Sequence, residues 1–215
     1  LHLYKQILKG FFARSDAEIN AIVDECTRHG AYVAAHCHPD EAIRRCIELG
    51  VRSIEHATLI TEETADLIVE KEAFTVPTFA VMAAIREPGS GRGASRRNKE
   101  KLEAVYDYAL TGLEIMHKKG VKTGFGTDLL AHQHVLQGTE FTLRSEVLPA
   151  VDILRSATSV NAELLGEEHQ LGQVAAGYYA DLILVNGNPL TNIELLASNG
   201  QDIDIIMRDG EMIRL

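Results

Sequence analysis

What the chain has little of narrows its identity first. Its three cysteines, Cys26, Cys37 and Cys46, are an odd number and form no CxxC pair, which excludes a disulfide framework or a zinc ribbon and points to a reducing, cytoplasmic compartment. No apolar run approaches the roughly 18 residues needed to span a bilayer, and no signal-peptide pattern opens the chain, so no membrane association is expected. Positive charge is also in deficit. With 21 Lys and Arg against 31 Asp and Glu the formal net charge is −10, which disfavours nucleic acid as a partner and favours a small molecule or peptide. The first residue, Leu1, is not a translation start, and lost upstream sequence is the expectation drawn from it.

What is present is ordinary globular material. Apolar residues make up 46% and charged residues 24% of 215, enough for one good hydrophobic core. Ser15 and Glu18 stand in a capping-box arrangement, and Ile19, Ile22, Val23 and Cys26 follow at helical spacing until Gly30, which predicts a helix over 15–30. Ala31 to His36 is an apolar run of strand length, and Pro39 then opens a helix carrying Ala42, Ile43, Cys46 and Leu49. The same grammar repeats from Val51: VRSIEH as strand, a helix capped by Thr61, then FTVPT as strand. A long helix from about Asn98 to Lys119 leads to a fourth strand, VKTGFGTD, ending at Asp128. Strands alternating with helices argue for a parallel sheet.

A helical pattern runs from Pro149 to Leu165, and then the composition changes. ADLILV, IDIIM and EMIRL, separated by Gly, Asn and Asp-Gly turns, read as a small β unit, with a boundary near Glu168. The basic, Gly/Ser-rich stretch between Arg86 and Lys101 reads as a loop, most simply a solvated charge run; it could also cover a site and grip a carboxylate.

Three predicted strands end in a residue able to bind a metal: His36, His56 and Asp128. In a parallel βα barrel all strand C-termini face one rim, so such residues converge although they are distant in sequence. Two imidazoles and a carboxylate suit a divalent cation such as zinc in a hydrolytic site. Taken singly, each residue has a blander explanation as a hydrogen-bonded rim or turn residue. The joint spacing carries the inference. His132 and His134 are read as loop residues, and His2, His29, His117 and His169 as helix-end or terminal ones.

The segments AHCHPDEAI, GVRSIEH, VPTF, GVKTGFGTD and LGQVAAGYYADLILVNGNPL resemble the amidohydrolase superfamily, in its branch of imidazolonepropionase-like and Xaa-Pro dipeptidase-like enzymes, over nearly all of the chain from about Phe12. The resemblance implies an α/β fold: the C-terminal half of a (β/α)8 TIM-type barrel, strands five to eight within residues 1–168, and part of a small flanking β-sandwich over 169–215. It implies a centre of one or two divalent metal ions, usually zinc, with His36 and His56 as ligands from the fifth and sixth strands. Asp128 would end the eighth strand, bind the metal and shuttle a proton from the metal-activated hydroxide to the leaving amine. His38, two residues after His36 and on the same strand face, is the candidate to hold the substrate carbonyl.

The first-strand His-x-His pair and the fourth-strand lysine of that family have no counterpart here; Lys5 and Lys9 lack the strand-and-glycine context. The implied activity is hydrolysis of C–N bonds, most like a dipeptidase releasing a C-terminal residue such as proline, with cyclic-amide hydrolysis as the alternative. A rival reading makes the chain a catalytically incomplete partner that pairs with another copy or a separate N-terminal half, since an exposed sheet edge is adhesive.

Overall fold

The structure, a computed structural model, describes residues 14–86 and 96–214; Lys5, Lys9, His2 and most of the basic stretch lie outside these. Helix α1 (Asp16–Arg28) starts at the expected capping box, with Ser15 Oγ accepting from the Glu18 N–H at 3.3 Å and the Ser15 N–H donating to Glu18 Oε2 at 2.7 Å. Then come β1 (Ala34–Pro39), α2 (Asp40–Glu48), β2 (Ser53–Leu59), α3 (Glu62–Glu70), β3 (Phe74–Val76), α4 (Phe79–Arg86), α5 (Arg96–Lys119) and β4 (Lys122–Thr123). The strands form one parallel sheet in the order β1-β2-β3-β4. Each connection crosses over through a helix, as parallel neighbours require.

Strand alternation divides the sheet into two faces. Ala35, Cys37 and Ile54 point into the main core, where they meet Ile43 and Ile47 of α2, Ala65 and Ile68 of α3, and Leu113 and Met116 of α5. Ile43 and Ile68 are completely buried. Truncating either to alanine would cost roughly 2–5 kcal/mol. The opposite face carries His36 beside its register partner Glu55, and Ser53 beside Phe74. Its β3 side is covered by Leu164 and Val160, which pack on Phe74 and Val76, while His36 on β1 stays exposed.

β1 and β2 sit later than the apolar runs predict, while β3 starts at Phe74 as expected and ends at Val76. The runs stop short because polar residues still pair: Cys37, the buried residue of β1, lies beside His56, and β1 continues to Pro39. The fourth strand is far shorter than VKTGFGTD. Beyond Thr123 the backbone of Phe125 is taken by the Asn161 side chain, whose Oδ1 accepts from its N–H at 2.9 Å and whose Nδ2 donates to its C=O at 3.0 Å. A Cβ at Gly126 would stand 2.8 Å from Val76 Cγ1, so only glycine lets this segment lie against β3.

Helices also replace expected loops. The helix α5 begins at Arg96, inside the stretch read as loop, and α4, which no reading of the sequence named, follows β3 directly. After Asp128 comes a 3-10 turn (Ala131–Leu136) holding His132 and His134, then α6 (Thr139–Arg144). The pattern from Pro149 resolves into α7 (Ala150–Arg155), a π turn (Ser156–Val160) and α8 (Asn161–Leu165).

A second, antiparallel sheet follows in the order β5 (Leu182–Val185), β6 (Ile203–Arg208), β7 (Glu211–Arg214). Asp209 and Gly210, both at positive φ, make the two-residue hairpin between β6 and β7. Ile183, Leu184, Met212 and Ile213 are each more than half exposed. The segment joining β5 to β6 does reach the main core through Ile193 and Leu196. Gly138 lies so close to that segment that a Cβ there would be 2.8 Å from the Leu196 carbonyl. Among the described residues no helix is long and apolar enough to cross a membrane.

Candidate metal and catalytic site

β1 and β2 bring three imidazoles to one place. His36 and His38 are two residues apart on one strand and so share the face opposite the main core. His56 reaches them by a different route. Simple alternation would turn it to the side of Ile54, into the core, but β2 carries one extra residue against β1 between His56 and Leu59, and His56 and Ala57 have φ of 73° and 46°. This bulge re-aims the ring towards His36, and non-glycine residues held in the left-handed region are a form of strain that collects at functional sites.

The resulting cluster is tight. His56 Nε2 lies 2.8 Å from His36 Nδ1, and the ligand atoms of His36, His38 and His56 all fall within 4.8 Å of one another. The His38 and His56 rings are stacked with centroids 4.8 Å apart. The outward nitrogens of these two rings are engaged with threonines: His56 Nδ1 is 2.7 Å from Thr78 Oγ1, and His38 Nδ1 is 2.8 Å from Thr58 Oγ1. Burial pushes the pKa of His56 down to about 4, with His36 adding to the effect. Burial also brings His38 to about 4, helped by His56 and His36 and opposed by Asp128. Neutral imidazoles are the form that ligates metals. Three of them with convergent nitrogens fit a borderline divalent cation such as zinc.

Asp128 stands apart from this cluster. It is exposed, five residues past the end of β4, with φ of 52°. Its charge nevertheless acts on His38 and on Glu55, so it lies in their neighbourhood. The structure thus groups His38 with His36 and His56, although the sequence singles it out for the substrate carbonyl. His132 is exposed, and His134 Nε2 is bonded to the Leu129 carbonyl at 2.9 Å.

Two features escape sequence reasoning. Glu55, beside His36 in the β1–β2 register, is half-buried; burial raises its pKa, the Ser53 hydroxyl opposes that by donating at 2.6 Å, and Asp128 pushes it further up. The signal was its place one residue before His56 in a strand, where a solvent-facing acid is the default reading. The second is the Glu140–Arg144 pair of α6, fully buried, joined at 2.8 Å between Oε1 and Nε. Glu140 Oε2 accepts from the N–H groups of Phe79 and Ala80 at 2.8 and 2.7 Å. Arg144 donates to the carbonyls of Pro77 at 2.6 Å and Gly124 at 2.9 Å, and its guanidinium lies 4.7 Å from the centroid of the Phe125 ring. Desolvation raises the pKa of Glu140 and lowers that of Arg144, but a guanidinium stays charged and the carboxylate has three donors to hold it ionised. From sequence, an acid and an arginine four apart look like any exposed helix pair.

Residues 8–213 match the model of the Amidohydrolase family. The chain belongs to the amidohydrolase family. Among similar members, the ochratoxinase of Aspergillus niger is 31% identical over 183 residues, covering 84% of this chain and 38% of that protein. A prolidase solved in complex with N-methylphosphonate-L-proline superposes with a TM-score of 0.87 at 40% identity, covering 94% of this chain and 49% of that one. A Xaa-Pro dipeptidase with methionine bound in its active site gives 0.81 at 31% identity, over 94% and 49%. This amidohydrolase chain therefore spans about half the length of the solved relatives it matches, and less of the curated one.

Proposed function

We propose that this chain supplies the fifth to eighth strands of a (β/α)8 barrel, within residues 1–168, and part of a small β-sandwich over 169–215, in a cytoplasmic metal-dependent hydrolase of amide and peptide bonds. The convergence of His36, His38 and His56 on one point carries the reading. The preferred substrates are dipeptides with a C-terminal residue such as proline, in keeping with the prolidase and Xaa-Pro dipeptidase among the similar structures. The amide-cleaving reading also accommodates ochratoxinase.

In this reading His36, His56 and Asp128 hold a divalent metal, most simply zinc, and His38 either joins them or holds the substrate carbonyl. A bound ion of this kind lowers the pKa of water to about 7 and polarises a scissile carbonyl. Asp128, whose charge acts on His38, would take up the proton lost by the attacking water and return it to the departing nitrogen. The burial that keeps His38 and His56 neutral preserves their ligating form well below neutral pH. Further ligands, from the first and fourth strands of the family's barrel, are not among these residues.

The test is metal content of the intact natural protein by elemental analysis, run beside a hydrolysis panel of Xaa-Pro, Xaa-Arg and cyclic-imide substrates. One or two equivalents of metal, lost in His36→Ala and His56→Ala, with turnover of Xaa-Pro, is the expected result. Folded protein without metal, or metal retained after both substitutions, would sink the reading. Turnover of cyclic imides alone would move the substrate to the other branch of the family.

A further inference from the structure

We propose that Thr78 is a positioning residue for His56, and that the buried Glu140–Arg144 pair fixes it in place. The inference rests on the reading of His56 as a metal ligand. Thr78 lies just beyond the end of β3, where no strand pairing holds it, yet it is only 5% exposed. Its neighbours on both sides are tied to one ion pair. The Pro77 carbonyl accepts from Arg144 at 2.6 Å, and the Phe79 and Ala80 N–H groups donate to Glu140 at 2.8 and 2.7 Å. Both charged side chains are fully buried, so water does not compete for these contacts. Threonine is stiff about its first side-chain torsion, and a backbone pinned on either side therefore fixes where its hydroxyl points.

That hydroxyl lies 2.7 Å from His56 Nδ1, while His56 Nε2 faces His36 Nδ1 at 2.8 Å. A ligating histidine must keep a lone pair on the nitrogen that meets the metal, so its proton must sit on the other. Thr78 Oγ1 accepts that proton from Nδ1, which selects the tautomer with its lone pair on Nε2, where it accepts from His36 Nδ1 when no metal is bound, and sets the plane of the ring. His38 has the same arrangement with Thr58 at 2.8 Å. The repetition on two separate strands favours a designed orientation over chance satisfaction of a buried ring.

The intact natural protein, stripped of metal and titrated with Zn2+ against a competing chelator, provides the test, with the melting temperature of the metal-free form measured alongside. In Thr78→Val, nearly the same shape without the hydroxyl, metal affinity should fall about 10–100-fold, and Thr78→Ser should restore most of it. Arg144→Lys keeps the charge but loses the planar fork. It should weaken metal binding in the wild-type background and add little in Thr78→Val, because both act through one orientation. Should Arg144→Lys fail to fold, the threonine variants still decide. A Thr78→Val protein that melts lower without metal yet binds zinc as tightly as the parent would reduce Thr78 to a structural residue and overturn the proposal. If His56→Ala also left the affinity unchanged, the ligand reading itself would fall; loss in His56→Ala without loss in Thr78→Val removes only the inference about Thr78.

Discussion

Two polar clusters lie near the same rim of the sheet and are built on opposite terms. Glu140 and Arg144 have used their hydrogen-bonding capacity on the protein itself: three backbone and side-chain donors on the carboxylate, and two carbonyls and a carboxylate on the guanidinium. His36, His38 and His56 have used theirs only in part. His38 and His56 each have one nitrogen engaged with a threonine, the other nitrogen of His56 pairs with His36 Nδ1, and the ligand atoms of all three lie within 4.8 Å of one another. Imidazoles facing one another gain little unless a proton or a metal ion comes between them. A buried polar group that is fully bonded holds a structure together, whereas convergent groups with unspent lone pairs mark a place prepared for a ligand.

The largest expected effect on stability comes from breaking the fully bonded cluster. Arg144→Met leaves Glu140 as an uncompensated buried charge, and should lower stability by about 3–5 kcal/mol, measured as a shift in the denaturant midpoint. Replacing both, as Glu140→Leu with Arg144→Met, should recover part of that loss, although the Phe79, Ala80, Pro77 and Gly124 backbone groups would then lack partners. His36→Ala sets the contrast. His36 is exposed, and its loss should change metal-free stability by only about 0.5–1.5 kcal/mol, the worth of its bond to His56, while removing metal binding. Equal destabilisation by Arg144→Met and His36→Ala would erase the distinction between the clusters.

A smaller effect should appear with pH in metal-free protein. His38 and His56 are brought to about 4 in the folded state, mainly by burial, against about 6.5 in an unfolded chain. Between these values the unfolded chain binds protons that the folded one refuses, so stability rises with pH through this window. It should be fully present above about 6.5 and decline as the pH falls towards 4. Melting temperatures across pH 4–7 would show this slope, and replacing both His38 and His56 with glutamine should flatten it. A slope that persists unchanged in that double variant would place its origin elsewhere.

The meeting of His36 and His56 was legible in the sequence because it is written in strand-sized units. His36 and His56 stand at equivalent places in successive strand–helix repeats, and Pro39 and Thr61 announce the helices that follow. What could not be read arises where tertiary contacts override local pattern. The bulge at His56 and Ala57 defeats strand alternation with no glycine to signal it, and Asn161 takes the backbone of Phe125 out of strand pairing from 36 residues away. Glu140 and Arg144 reveal nothing in sequence because only the surrounding ends of β3 and β4 make them different from a surface pair. His38 shows the limit from the other side: its strand and face were evident, but the threonine bonded to it lies within the bulge on β2.

The smallest expected effect separates a threonine that caps from one that orients. Thr61 Oγ1 accepts from the Thr64 N–H at 3.3 Å at the start of α3, and the Thr61 N–H donates to Asp40 Oδ1 at 2.8 Å. Its hydroxyl serves the helix end and touches no imidazole. Thr61→Ala should therefore cost about 1 kcal/mol of stability, the usual loss for a helix N-cap, and leave zinc affinity as it was. Thr78→Val should show the reverse balance, a modest change in metal-free melting and a large one in affinity. Parallel titrations of the two variants test whether a hydroxyl near the rim matters for its hydrogen bond to a ligand or merely for satisfying the backbone; a Thr61→Ala protein that lost zinc as readily as Thr78→Val would show that general loosening of the strand ends, and not orientation of His56, controls the site.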